Sequence, residues 1–510
     1  MAMQTITVQH GWGTNASTIS NGKGNKFSFR QRSNGLNLTG TFVFVLIILW
    51  VIGKLQRDLS AGMRAVFALL VFLPSTLRID LPAPLPQLTI HRILIVIAFV
   101  FLIRNRSPDR QRWSIPNLWL IVLFGLSQVT SLLFGTDFVG GLKNCGNYAI
   151  ETVLFYLLIS EYVLAERDLV RLLSSVCYGL AAVAVVATFE KYFRFDPVGL
   201  ISSAGGGSPL AATGDIAATY PHRILMGYAM AMGVLLSLAL ASYEKEVKPR
   251  RIMYGITLLL IGATYFSTSR GPWLGLGLGL FGIAVLGGRN VRKKLALIAV
   301  LAAAILVLRP GVRETISNLY NATFDSDSLK GGSYDYRWQL WTVAWNQIRL
   351  SPVRFLFGYG PSSTMHMDLS KYWYGEEGWT SSMTKLGYTS WDNNYAADLI
   401  ELGVVGLLLE AILFLALAKT LVEDWLKNHS KNRTLQGGIL VACLVFMYSM
   451  TNVYIFAPQL KYLFWTLVAI GSNFSLVLAN QEAKEAALEL GDSVEPVPRA
   501  ASFAEGEATI

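Results

Sequence analysis

The sequence predicts an all-α fold, a polytopic transmembrane helix bundle of about 12–13 spans, and three features carry that prediction. Composition is the first: of 510 residues, 53% are hydrophobic and 15% charged, with a mean hydropathy of +0.44. A soluble chain would carry nearer a quarter of its residues as Asp, Glu, Lys and Arg. The second is that the apolar residues come in blocks of roughly 17–22, the length a helix needs to cross a hydrocarbon core of ~30 Å. Backbone groups in lipid must be paired internally, so these blocks are expected to be helices packed as one bundle. The third is an asymmetry of charge between successive connections. A soluble enzyme is excluded.

Taken in order, the spans begin near residues 38, 62, 88, 117, 147, 171, 222, 251, 271, 294, 393, 435 and 458. The stretch 62–87 is interrupted by Pro74, Pro82, Pro84 and Pro86, and is either a span or a re-entrant segment. Lys54–Arg64, Arg104–Arg112, Arg167–Arg171, Lys245–Arg251, Arg289–Lys294 and Lys427–Arg433 are basic connections on one side, which the positive-inside rule makes the cytoplasm. Two long connections face the other way. One, about 191–221, contains Gly205-Gly206-Gly207 and ends at His222-Arg223. The other, about 310–392, is expected to carry short helices, and loops of that length are usually functional. Residues 1–37 read as a polar, flexible tail without a cleavable signal peptide. Residues 38–480 form the membrane domain, and 481–510 a cytoplasmic tail.

The net charge of +10 is spread as short clusters between apolar runs, so no nucleic-acid surface is expected. Cys145, Cys177 and Cys443 lie in or beside apolar runs without paired spacing, which gives neither a disulfide framework nor a metal motif. No cofactor or metal is expected.

Ionisable groups at a membrane are costly, and four places on the outer side hold them. Arg270 sits in the tight turn Ser267-Thr268-Ser269-Arg270-Gly271. A fixed guanidinium there suits a phosphate, against the plainer reading of snorkelling to lipid headgroups. Asp335-Tyr336-Arg337-Trp338 is followed by Trp341, Trp345 and Phe357-Gly358-Tyr359-Gly360. Its tryptophans share one helix face, as a sugar platform or as an interfacial aromatic belt. Trp391-Asp392-Asn393-Asn394-Tyr395 opens a span that continues through Asp398, Glu401 and Gly403. Asp392 is a helix cap or a catalytic carboxylate, and the buried Asp398 and Glu401 are expected to pair with the outer arginines. His222 and Arg223 begin another span, His222 as a base or as an interfacial polar group.

Ser269-Arg270-Gly271, Arg337 leading to Gly358-Tyr359-Gly360, and Asp392-Asn393-x-Tyr395 with Glu401-x-Gly403 resemble the signature of the O-antigen ligase and O-antigen polymerase superfamily. The order, spacing and long outer loop agree over roughly 220–410. The resemblance implies a metal-independent membrane glycosyltransferase of the bacterial cytoplasmic (inner) membrane, working at the periplasmic face on an undecaprenyl-pyrophosphate-linked oligosaccharide. It carries pyrophosphate binding to Arg270 and Arg337, with Arg223 as a third arginine. His222, Trp338, Trp341, Asn393, Tyr395 and Glu401 join them as candidate substrate contacts. Ligases of the family commonly place a His before the Asn of the last motif, and here that position is Asp392.

A carboxylate is a poorer proton acceptor than an imidazole at neutral pH, so the departure favours an exopolysaccharide or O-antigen polymerase. The alternatives are a ligase passing the glycan to a lipid or protein acceptor, and a transporter of lipid-linked glycan. Expected partners are the lipid bilayer, chain-length regulator proteins and flippase proteins.

Overall fold

The structure, a computed structural model, describes residues 17–20, 26–29, 36–79, 87–105, 115–163, 165–201, 210, 214–324, 329–367, 369, 390–427 and 431–492. The Gly205-Gly206-Gly207 run and Pro82, Pro84 and Pro86 lie outside the described residues, as does the tail beyond 492.

A helix stands at each of the thirteen predicted span positions. The first four are α1 (Leu38–Arg57), α2 (Leu59–Phe72), α3 (Ile90–Arg104) and α4 (Leu118–Leu133). The fifth is composite: α5 (Phe138–Tyr148) runs through one π-helical turn, Ala149–Leu154, into α6 (Phe155–Tyr162). Then come α7 (Glu166–Phe193), the short α8 (Pro197–Ile201), α9 (Arg223–Tyr243), α10 (Val247–Phe266), α11 (Arg270–Leu286) and α12 (Arg289–Leu308). The long loop was expected to carry short helices and holds α13 (Pro310–Phe324), α14 (Leu329–Ile348, as long as α1), α15 (Pro352–Phe357) and a 3-10 turn at Ser363–Met365. The chain ends in α16 (Asn394–Lys427), α17 (Lys431–Ser449) and α18 (Pro458–Asp492). Among the described residues, five of these helices are individually long and apolar enough to cross a membrane: α1, α7, α9, α16 and α18 over Pro458–Ala479.

Two expectations change in detail. The N-terminal tail, read as flexible, holds an antiparallel hairpin pairing Ser17–Ser20 (β1) with Lys26–Phe29 (β2). The region after Gln481 continues α18 as helix to Asp492, because its Glu-Ala composition is helix-favouring. A second small hairpin, Arg78–Ile79 (β3) with Leu88–Thr89 (β4), joins α2 to α3.

The centre of the bundle is α9. It has no charged residue after Arg223 and is buried almost all round, as a helix apolar on every face must be. Small residues let its neighbours come close. Gly227 lies against Pro272 and Ser267, and Gly233 against Leu180 and Leu260.

The basic connections meet at one end. Asp58 closes α1, giving its N–H to the Lys54 carbonyl at 3.0 Å, and caps α2 by accepting from the Ser60 N–H at 2.9 Å. The Tyr162 hydroxyl reaches Ser60 at 3.2 Å, Asn117 reaches Thr420 at 2.9 Å, and the Gly288 N–H reaches Thr434 at 3.3 Å. Arg433 lies over the Trp425 ring.

The outer end is organised around a break in α16. Gly403 has φ 67° and ψ −169°, which interrupts the helix and releases carbonyls one turn earlier. Inside a bundle those carbonyls must find donors. The segment after α15 supplies them: the Tyr359 N–H bonds the Ile400 carbonyl at 2.8 Å, and the Gly360 N–H bonds the Glu401 carbonyl at 2.9 Å. The Ser131 hydroxyl lies 2.6 Å from the carbonyls of both Phe357 and Glu401. The two backbones touch because neither carries a side chain at the crossing. A Cβ on Gly358 would come within 2.5 Å of the Glu401 carbonyl, and one on Gly403 within 2.5 Å of the Leu356 carbonyl.

Gly358→Ala and Gly403→Ala should each lower the thermal midpoint in detergent. A positive φ with ψ near 180° is essentially reserved for glycine and alone costs about 1–3 kcal/mol for a residue with a Cβ, before the clash is counted. Gly53→Ala, where a Cβ meets nothing within 4 Å, is the control and should hold or gain stability. Equal midpoints for all three variants would contradict this account of the crossing.

Candidate active site

The outer ends of α9, α11, α14 and α16 bring most of the predicted residues into one neighbourhood. His222 precedes α9 in an extended conformation, and its Nδ1 accepts from the Ile224 N–H at 3.3 Å as the helix cap. An Nδ1 that accepts leaves the proton of a neutral imidazole on Nε2. Arg223 pairs with Asp215 at 2.9 Å and reaches the Thr268 hydroxyl at 3.4 Å. The loop before His222 is clamped from two sides. Glu190, at the end of α7, accepts from the N–H groups of Ala217 and Ala218 at 3.1 and 2.8 Å, and Gln459 donates to the carbonyls of Thr219 and Leu73.

Arg270 is the first residue of α11, entered through Thr268 at φ 47°. A β-branched residue in that region is a true backbone outlier, of the kind that gathers at functional sites. The sequence left open whether Gly271 admits a backbone or a ligand. What approaches it is a side chain: Tyr228 packs directly on Gly271, with Asn452 next to it.

That Asn452 joins the two halves of the site. Arg337, on α14, donates from Nε to the Asn452 carbonyl at 2.9 Å and lies 3.7 Å from Asp392 Oδ2. Asp392 Oδ1 accepts from the Ser390 hydroxyl at 2.7 Å, and the buried Tyr336 hydroxyl donates to the Ser390 carbonyl at 2.7 Å. Neighbouring residues of one helix thus hold the segment that presents Asp392. The Arg337–Asp392 separation is wider than a direct charged hydrogen bond. His222 feels Asp392, Arg223, Asp215 and Arg337 together. Burial pushes its imidazole below the ordinary 6.5, and the nearby Asp392 carboxylate opposes that shift.

Several predicted roles move. The helix cap is Asn393, whose side chain accepts from the Ala396 N–H at 3.2 Å, which leaves Asp392 outside the cap and facing Arg337. Tyr395 turns into the bundle and donates to the Met447 carbonyl at 3.0 Å, so it stands apart from the arginines. Asp398 and Glu401 do not pair with the outer arginines. Asp398 is met by Asn394 and Glu410, Glu401 by the Thr364 hydroxyl, and Lys461 is the cation near both. Glu410 reaches Asp398 from beyond the break at Gly403, and Lys461 comes from the start of α18. Of the tryptophans, Trp341 packs into a small outer core with Tyr336, Leu340 and Trp391. Trp338 and Trp345 stay 62% and 48% exposed. His366 pairs with Asp137 at 2.9 Å on the surface.

Asp215 and Asn452 escaped the sequence reading. Asp215 lies in the loop that ends at His222-Arg223, whereas Asn452 gives Arg337 a backbone carbonyl, for which no side-chain type is a signal.

Residues 255–410 match the family model described as O-Antigen ligase. No curated protein matches the chain. The matched segment holds Arg270, Arg337, Asp392, Glu401 and Gly403, and leaves out His222, Arg223 and Asn452.

His222→Asn keeps a capping oxygen and removes the titration. In the native chain the unfolded state takes up this proton first as pH falls below 6.5, so folding stability drops toward acid. Between about pH 7 and about pH 5, the thermal midpoint of the Asn variant should fall less than that of the native protein. Parallel curves would show that His222 does not carry the acid loss.

Proposed function

We propose that this chain, which belongs through residues 255–410 to the O-antigen ligase and polymerase superfamily, is a polysaccharide polymerase of the bacterial cytoplasmic membrane. Its coarser character, a membrane enzyme that processes lipid-linked glycans, follows from that membership. The finer reading is that one undecaprenyl-pyrophosphate-linked glycan is the donor and the non-reducing end of another is the acceptor, at the periplasmic face.

The observation that carries the reading is the Arg337–Asp392 pair at 3.7 Å, with Asn452 shared between Arg337 and the Arg270-Gly271 turn. A cation suited to a diphosphate stands beside a carboxylate suited to a hydroxyl. In the proposed step the acceptor hydroxyl attacks the anomeric carbon from the side opposite the leaving group. The new C–O bond forms as the bond from the anomeric carbon to the pyrophosphate oxygen breaks, which inverts the configuration. The electron pair leaves on the polyprenyl diphosphate, whose charge Arg337 and Arg270 stabilise. The hydroxyl proton goes to Asp392 or through it to water, late in the step, because the leaving group is already good. Neutral His222, with its Nε2 proton, is a hydrogen-bond donor to a diphosphate oxygen, and Arg223 is the third cation. Trp338 offers an exposed ring to the glycan.

Transfer to a lipid or protein acceptor is the second reading, and the ligase description of the matching family favours it. Only the acceptor differs. Elongation of lipid-linked repeat units by the purified protein alone supports polymerase; dependence on a separate acceptor supports ligase.

Arg270→Glu and Asp392→Asn should each reduce product formation from a lipid-linked repeat unit by about 10²-fold or more, as loss of a charge-stabilising or proton-handling group does. EDTA should leave the native rate unchanged. A native product ladder from Arg270→Glu would remove the pyrophosphate role from this residue.

A further inference from the structure

A cavity of about 180 Å³ lies beside the outer site, bounded by α4, α5, the π-helical turn, α16 and α18. By that measure one water needs only ~10–15 Å³. Two irregularities of the backbone shape it. The π-helical turn places Glu151 on its wall, held by Arg92 at 2.7 Å, and such turns recur at functional sites. The break at Gly403 brings together Asp398 and Glu410, whose carboxyl groups meet across it. In an unbroken helix these residues would stand about 18 Å apart along the axis.

Two carboxyl groups in contact hold a proton between them. Beyond it, Glu410 Oε2 receives no N–H or O–H from the protein, although the residue is 4% exposed. A buried acceptor left without a donor is costly. Other polar wall groups are Gln128, Asn144, Asn147 and Lys461, and Trp465 is among the apolar ones. Among the described residues no group of three His, Cys, Asp or Glu converges as a metal ion would require. Carboxyl oxygens seeking hydroxyl protons, amide and ammonium donors, and an indole wall are together the complement of a polyhydroxylated ring. The excess of carboxyl groups disfavours an acidic sugar.

The position is equally specific. Asn394 lines the cavity, while Asp392, two residues earlier, faces Arg337. Met450, Tyr454 and Ile455 line it from the connection that also supplies the Asn452 carbonyl to Arg337. The cavity therefore adjoins the Arg337–Asp392 pair through the start of α16 and the 450–455 connection.

We infer that this cavity binds one uncharged, hydroxyl-rich sugar ring of the acceptor glycan, an assignment that rests on the transferase reading above. Glu410 and Asp398 accept from its hydroxyls, Lys461 and the carboxamides donate to them, and the ring lies toward Trp465.

The test uses the full-length protein in detergent and the host's own repeat unit, released from its lipid by mild acid, as the probe. Hydrogen exchange should show saturable protection of residues 144–152 and 394–402 by this free glycan. Glu410→Gln, which alters the proton inventory, and Asn147→Phe, which fills the cavity, should each weaken that protection about tenfold, the loss of one or two hydrogen bonds. Circular dichroism and monodisperse elution confirm that the variants are folded. No protection in the native protein, or protection and acceptor KM both untouched by Asn147→Phe, would mean a water-filled cavity and would overturn the site. Elongation is followed separately. Protection without any transfer would support the site and sink the transferase reading, whereas transfer without protection would do the reverse.

Discussion

The crossing of two glycine backbones, Gly358 on Gly403, is the constraint on which the outer half of the molecule depends. A helix broken within a bundle exposes carbonyls that lipid cannot satisfy. Here the segment Gly358–Gly360 takes the place of the missing turn, and Ser131 and Thr136 tie the same point to α4 and the α4–α5 connection. The loop between α12 and α16 is thus anchored by main-chain hydrogen bonds to the helix that begins at the Asp392 motif. With its base fixed there, α14 can carry Arg337 to a fixed distance from Asp392. The glycines at 358 and 403 are, physically, a requirement of close approach.

Charge follows from the same geometry. One face of the first turns of α16 looks to the arginines and the other to a polar cavity, and Asn393 and Asn394 divide the two. Asn393 caps its own helix, while Asn394 binds the Met450 carbonyl through its N–H and the Ile455 N–H through its side chain. Each environment keeps its own cations: Arg337 on one side, Lys461 and Arg92 on the other. Separating them costs several buried polar groups, which a bundle held only by apolar packing would have no reason to keep.

Much of this was legible in the sequence. Block hydropathy located thirteen helices, because a helix in lipid must satisfy itself and so writes its length into consecutive residues. The arginines, Asp392 and His222 were legible because charge at an outer helix end is rare. Asp398 and Glu401 meet Asn394, Glu410, Thr364 and Lys461 in place of the outer arginines, and contacts made by separate elements leave no mark in local spacing. The seat of Arg337 had no local signature, since it is the main-chain carbonyl of Asn452, and a carbonyl is the same in every residue.

That last contact bears on how separable the site is. The matched segment ends at residue 410, yet the carbonyl that seats Arg337 and the amide that pairs with Asn394 come from 452 and 455. The turn that seats His222 lies before the segment begins. A chimera exchanging only 255–410 with a relative would transplant the charges and leave behind the partners that aim them. Modularity in this protein ends where the backbone stitching ends, and the smallest exchangeable unit runs from the Asp215 loop to the start of α18.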